Sequence, residues 1–298
     1  MGLQALFTRR SAVSMSLPRP PVSYRNATDV QSRRGHPLGV KDATKRFGGI
    51  SAVDGVTFDL PSEGITALIG ANGAGKSTLL ALVSGNLPLD GGRIHLLGQD
   101  VSSISAQRRS RLGLSRTFQH PLLVPFLNCI ENVCTGLETT YTTSSTLLAP
   151  FRPRSEAAIT AKASAALETV GIPEARWLSR PAQLSAQDRL LAEVARAIVS
   201  EPKLLLLDEP SVGFTPSETE ALAGLLRKLS GAGTAVLLVT HDVPFAITVA
   251  GAVLAMDHGK LIASGPTVDV ITAKDVVTSY LGEKGLKAAM KALETRSG

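Results

Sequence analysis

Apolar and polar residues alternate over residues 38–47 and again over residues 56–60, the period of strands that bury one face and wet the other. Gly48-Gly49 turns between them, and Pro61-Ser-Glu-Gly64 turns into a short apolar strand at residues 65–69. A helix-forming run follows at residues 77–84, then a short strand at 93–98, a short basic helix at 106–113, and a strand at 115–119 that ends in a glutamine. From residue 126 to about 200 the period turns helical, with Ala-rich runs at 156–170 and 188–199. The polar stretch 138–155, rich in Thr and Ser, interrupts that region and is expected to be a mobile loop. Residues 204–207 and 235–239 are continuously apolar, as in parallel strands covered on both faces. The pattern predicts an α/β body at residues 38–283 with a helical lobe inserted at about 120–200, and a helical tail at 284–298.

Composition narrows the reading. With 298 residues, 44% of them hydrophobic, the chain can bury one large core or two modest lobes. No apolar run approaches the roughly 18 residues that span a bilayer, so any membrane role is expected to be peripheral. Cys129 and Cys134 make neither a disulfide framework nor a metal site and read as buried cytosolic thiols. The net charge of +6 is concentrated at the front: residues 1–37 hold six arginines and one acid, Asp29. The body is therefore close to neutral, which argues against a nucleic-acid-binding face. Residues 1–37 read as a disordered basic extension. An organelle transit peptide, or an overextended start with Met15 as the true initiator, fits the same composition.

The chemistry begins at Gly70-Ala71-Asn72-Gly73-Ala74-Gly75-Lys76-Ser77-Thr78. Residues 70–77 fit G-x-x-x-x-G-K-[ST] between a strand and a helix, the setting this phosphate-binding loop requires. Its backbone N–H groups and the following helix N-terminus would cradle phosphates. Lys76 would reach the β- and γ-phosphates of a nucleoside triphosphate, and the Ser77 hydroxyl would be a ligand of Mg2+. Leu204-Leu-Leu-Leu-Asp-Glu-Pro210 places two acids at the C-terminal end of a buried strand, where open α/β sheets bind ligands. Asp208 would hold magnesium through water and Glu209 would polarise the attacking water. Another apolar strand ends in His241, which can hydrogen-bond a phosphate oxygen and orient water. In the turn after the first strand, Phe47 could stack on a base, with Val53 adding apolar contact; a plain core role for Phe47 fits the pattern equally.

Gln119, Asp208-Glu209 and His241, in that order after a phosphate loop and split by a helical insert, make residues 38–283 resemble an ABC-type ATPase. Within that superfamily the chain is similar to the ATP-binding subunit of branched-chain amino acid (Liv-type) importers. The similarity rests on Lys45-Arg-Phe-Gly-Gly49, Leu112-Gly-Leu-Ser-Arg-Thr-Phe-Gln119, the insert at 138–155 and Ser279-Tyr-Leu-Gly-Glu283. ATPases of the lipopolysaccharide exporter end similarly but differ at the glycine pair and lack the insert. The resemblance implies a P-loop NTPase core with an antiparallel β subdomain and an inserted α-helical subdomain. It further implies ATP hydrolysis with Mg2+, a second ATPase subunit paired head to tail, and two transmembrane permease subunits at the cytoplasmic face of the membrane. A periplasmic or extracellular solute-binding protein would act through the permease. Phe47 takes the place of the adenine-stacking aromatic, Gln119 that of the glutamine that touches magnesium and senses the permease, and residues 118–126 that of the docking groove.

Two places depart from the family pattern. Where Leu-Ser-Gly-Gly-Gln is expected, the chain has Leu184-Ser-Ala-Gln-Asp188, with Glu193-Val-Ala-Arg-Ala197 still in register. Ser185, Ala186 and Gln187 would face the partner's nucleotide, with Gln187 standing where backbone must approach phosphate closely. Thr215 stands where the family usually has Asp or Asn. These residues imply an alternative in which the chain binds nucleotide in an asymmetric heterodimer and hydrolyses poorly. A soluble, non-transport ABC ATPase is the alternative of another class.

Overall fold

The computed structural model describes residues 36–119, 121–138 and 153–297. The chain opens with an antiparallel hairpin, β1 (Leu38–Phe47) and β2 (Ile50–Asp59), in which Phe47 faces Ile50 across the turn. After β3 (Ile65–Ile69) and helix α1 (Lys76–Ser84) come β4 (Gly91–Leu96) and the two-residue β5 (Gln99–Asp100), which complete a four-stranded sheet in the order β2-β1-β4-β5. Helix α2 (Ala106–Arg111) leads into β6 (Leu114–Arg116), shorter than the pattern predicted. The strand ends three residues before Gln119, which lies on the loop beyond it.

Helices α3 (Cys129–Glu138), α4 (Pro153–Val170) and α5 (Ala186–Ile198) pack on one another as a helical layer. The polar stretch expected to be a mobile loop overlaps both helix ends, and its residues 139–152 lie outside the described residues. Most of the basic extension also lies outside them. The chain continues through β7 (Leu204–Asp208), α6 (Pro216–Gly231), β8 (Ala235–Val239) and α7 (Val243–Val249). It ends with β9 (Ala252–Asp257), β10 (Lys260–Pro266), α8 (Thr267–Ile271), α9 (Lys274–Val276), a π-helical turn at Val277–Leu281 and α10 (Gly282–Ser297).

The second sheet has six strands in the order β10-β9-β3-β8-β7-β6. Every pair in it is parallel except β10 with β9. The strands β3, β7 and β8 are buried end to end, and their side chains alternate between two faces. Leu68, Leu204, Leu206, Leu237 and Val239 point toward α1 and the antiparallel sheet. Ile65, Ala67, Leu205, Leu207, Val236 and Leu238 point toward the helices beyond. Covering both faces explains the continuous apolar runs and leaves the C-terminal strand ends as the place where polar groups gather.

Candidate active site

Four adjacent strand ends build the site. The loop after β3 is shaped by glycines that nothing else could replace. Gly70 has φ 151°, and a Cβ there would lie 2.2 Å from the Met256 carbonyl oxygen. Gly75 caps α1 with φ 99°, and a Cβ there would lie 2.2 Å from the Ala52 carbonyl oxygen. The loop is thus pressed against backbone on both sides and open in front, at exposed Asn72 and Gly73. Lys76 folds back across it, its buried Nζ donating to the carbonyls of Gly70 (2.8 Å) and Ala71 (2.9 Å). Burial pulls the ammonium below its ordinary range, opposed by the charges of Glu209 and Asp208. Ser77 is exposed on the first turn of α1 and Thr78 half-buried beside it. The unbonded N–H groups of that turn face the same way as the helix dipole's positive end.

On β7, Asp208 is buried and meets Arg116 of β6, whose Nη2 lies 3.3 Å from Asp208 Oδ2. Burial raises the carboxyl above its ordinary value, with Arg116 pulling the other way. Glu209 follows in a left-handed conformation, φ 50°, and its N–H donates to the Val239 carbonyl at 2.9 Å. A non-glycine residue held there is strained, and the bend brings the carboxylate to His241 beyond β8. His241 Nδ1 and Glu209 Oε2 are 3.1 Å apart. Gly70, Asn72, Gln119, Glu209, His241 and Tyr280 line one cleft of about 510 Å³.

A family model described as ABC transporter matches residues 53–212. Over 250 residues the chain is 32% identical to the high-affinity branched-chain amino acid transport ATP-binding protein LivG of Escherichia coli (strain K12), covering 83% of this chain and 98% of that one. The corresponding protein BraF of Pseudomonas aeruginosa is 33% identical over 251 residues, with the same coverage of 83% and 98%. A nucleotide-free ATP-binding cassette from an ABC transporter superposes with a TM-score of 0.73 at 26% identity, over 83% of this chain and 100% of that one. The ADP conformation of the cassette MJ1267 gives 0.72 at 27% identity, over 83% and 99%. The chain belongs to the ABC transporter family.

As an ABC ATPase it binds and hydrolyses ATP, and its remaining expected residues can be placed against that activity. Phe47 is half-exposed at the hairpin end, with Lys45 Nζ 5.7 Å from its ring centre, so a ring face remains open to a base. Val53, expected to add apolar contact with the base, is fully buried in an apolar cluster that also holds Ala74 of the phosphate loop. Thr215 caps α6 in a capping box with Glu218, whose Oε2 accepts the Thr215 N–H at 2.7 Å; this is the capping work Asp or Asn would do.

The residues expected at the family signature stand at the start of α5. Ser185 is the N-cap, its oxygen accepting the Asp188 N–H at 2.9 Å, with Ala186 exposed and Gln187 half-buried on the first turn. None of the three belongs to the cleft of this chain.

The donor set suits Mg2+. Among the described residues no group of three or more His, Cys, Asp or Glu could hold a metal ion by itself. A small hard cation that keeps water and phosphate ligands needs only one or two protein oxygens, and Asp208, Ser77 and Gln119 supply oxygen alone. Two residues of the site escaped sequence reasoning. Arg116 was visible only as part of the Leu112–Gln119 stretch, and Tyr280 only as part of Ser279–Glu283, both of which carry the family resemblance.

Proposed function

We propose that this chain is the ATP-hydrolysing subunit that energises an ABC importer for branched-chain amino acids or a related small solute. The observation that carries the reading is the single cleft in which Gln119, Glu209 and His241 converge on the phosphate loop; the names of the relatives LivG and BraF supply the solute class. The chain would sit at the cytoplasmic face of the membrane, bound to two permease subunits and paired with a second ATPase subunit, with a solute-binding protein acting from outside. Among the described residues no helix is long and apolar enough to cross a membrane, so attachment falls to the permease. Leu122 and Phe126, both exposed, belong to the segment proposed to dock on it.

In this reading Lys76 and the first-turn N–H groups of α1 neutralise the β- and γ-phosphates, and Phe47 stacks on adenine. Glu209 accepts a hydrogen bond from the attacking water, while His241 orients Glu209 and donates to the γ-phosphate. Ser77, Asp208 and Gln119 would hold Mg2+, which would supply neutralisation of phosphate charge when bound. Catalysis is positioning and electrostatics without a covalent intermediate. The residue roles, the division 1–37, 38–283 and 284–298, and the partners belong to the same proposal.

The test is uptake and ATP hydrolysis by this chain assembled with its permease subunits in vesicles. Branched-chain amino acids with their binding protein should stimulate turnover, and Glu209→Gln should cut turnover at least a hundredfold while ATP still binds. Turnover insensitive to every solute and to the permease would point to a non-transport ATPase.

One observation favours a second reading. Ser185 spends its oxygen on the helix cap, and Gln187 and Asp188 bring a bulky side chain and a negative charge to the turn that would meet the partner's nucleotide. An asymmetric heterodimer with one weakened site follows. Gln187→Gly should then raise the total hydrolysis of the pair; an unchanged rate would remove this reading.

A further inference from the structure

The cleft contains one residue to which the hydrolytic scheme assigns no task. Tyr280 stands in the π-helical turn Val277–Leu281, 39 residues beyond His241, yet lines the same cleft as Glu209 and Gln119. Its hydroxyl donates to the His241 backbone carbonyl at 2.9 Å. Its ring packs with Leu281 against Val243, Ile247, Ile271 and Ala289, joining α7, α8 and α10.

The neighbouring residues show why position 241 needs a tether. Thr240 is anchored behind it, its N–H donating to the Leu68 carbonyl at 3.2 Å. Asp242 is anchored ahead of it as the cap of α7, accepting the Phe245 N–H at 3.0 Å, while its own N–H donates to Thr240 Oγ1. Between these anchors His241 is exposed, and its imidazole meets Glu209 through one contact at 3.1 Å. The Tyr280 hydroxyl grips the backbone at that middle residue.

We infer that Tyr280 is a positioning residue for hydrolysis, holding the His241 backbone from the C-terminal segment so that the imidazole stays on Glu209. The phenol is suited to this. Burial first, and then the charges of Glu209 and Asp242, push its pKa up to about 12, so it remains a donor wherever the enzyme works. The ring core locks the hydroxyl in place, and the C-terminal segment becomes part of the active site through it. The inference rests on the reading of His241 as part of the hydrolytic pair.

The experiment is a double-mutant cycle on the full chain. Tyr280→Phe keeps the ring and removes only the hydroxyl, so thermal stability and KM for ATP should stay near wild type. The value of kcat should fall about fivefold, the size of one lost hydrogen bond of about 1 kcal/mol. In a His241→Ala background the same change should have no further effect, because no imidazole is left to position. The His241 imidazole resonance in histidine-labelled protein should also shift in Tyr280→Phe. If His241→Ala is slow but Tyr280→Phe leaves kcat and that resonance unchanged, or multiplies with His241→Ala, the inference is wrong and the hydrolytic reading stands. If His241→Ala itself turns over normally, both fall.

Discussion

Glu193 of α5 accepts the backbone N–H of Leu122 at 2.8 Å, from a side chain almost entirely buried. The same carboxylate accepts the Phe118 N–H at 3.1 Å, and Arg196 one turn on donates to the Leu122 carbonyl at 2.6 Å. One face of α5 therefore grips both ends of the segment that carries Gln119. The helix whose first turn would meet the partner's nucleotide and the loop that would meet magnesium and the permease form one mechanical unit.

Removing that grip should uncouple the loop from the helix. Glu193→Ala leaves two backbone donors without their buried acceptor, at about 1–3 kcal/mol each. Urea denaturation should show a loss of about 3 kcal/mol, and kcat should fall more than the affinity for ATP. Glu193→Gln keeps one acceptor oxygen and should lose about half as much. Equal stability in all three proteins would remove the claim.

Arg116 and Asp208 form a buried pair in which each partner needs the other. Arg116 Nη1 also donates to Ser84 Oγ at 3.0 Å, tying the end of α1 to β6 and β7. Arg116→Met strands a buried carboxylate and should cost about 3 kcal/mol. Asp208 already has a raised pKa from burial, so the deficit should be full at neutral pH and shrink as pH falls and the carboxyl protonates. Adding Asp208→Asn should restore thermal stability without restoring turnover. A double variant as unstable as Arg116→Met would show that the pair is not the cause.

Lys76 should cost the free protein stability. Burial lowers its pKa from 10.5, so the unfolded chain holds that proton more tightly than the folded one. The penalty stands in full below the folded pKa and is relieved as pH rises toward 10.5. Lys76→Met should therefore abolish turnover and raise the melting temperature at pH 7.5, with the gap closing toward pH 10.5. Calorimetry across that range checks it; a gap that widens with pH would contradict the assigned cause.

Much of this was legible along the chain. The phosphate loop is a local object. Its glycine spacing, the strand before it and the helix after it occupy residues 65–84, and the backbone crowding at Gly70 and Gly75 is why those glycines are there. The acids on β7 were equally readable, because a strand buried on both faces must end where its first carboxylates appear. Gln119 was identified while its strand was drawn too long, since a polar loop leaving a three-residue strand keeps no period to read. For Val53, alternation says that a strand residue is on one face without saying what lies beyond that face, which is a fully buried apolar cluster.

By itself, the sequence determined the fold class, the phosphate loop, the order of Gln119, Asp208, Glu209 and His241, and the altered Leu184-Ser-Ala-Gln-Asp188 turn. Each is assembled from segments that are legible one at a time, where period, turn chemistry and caps act over a few neighbouring residues. Only the tertiary structure decided that β3, β8, β7 and β6 lie side by side and so bring Gln119, Glu209 and His241 to one cleft beside the phosphate loop. It alone placed Arg116 on Asp208, Glu193 under Leu122 and Tyr280 on the His241 backbone, across 92, 71 and 39 residues of chain. Such contacts follow from how covered sheets and helices pack. No local pattern encodes a partner that arrives from another element.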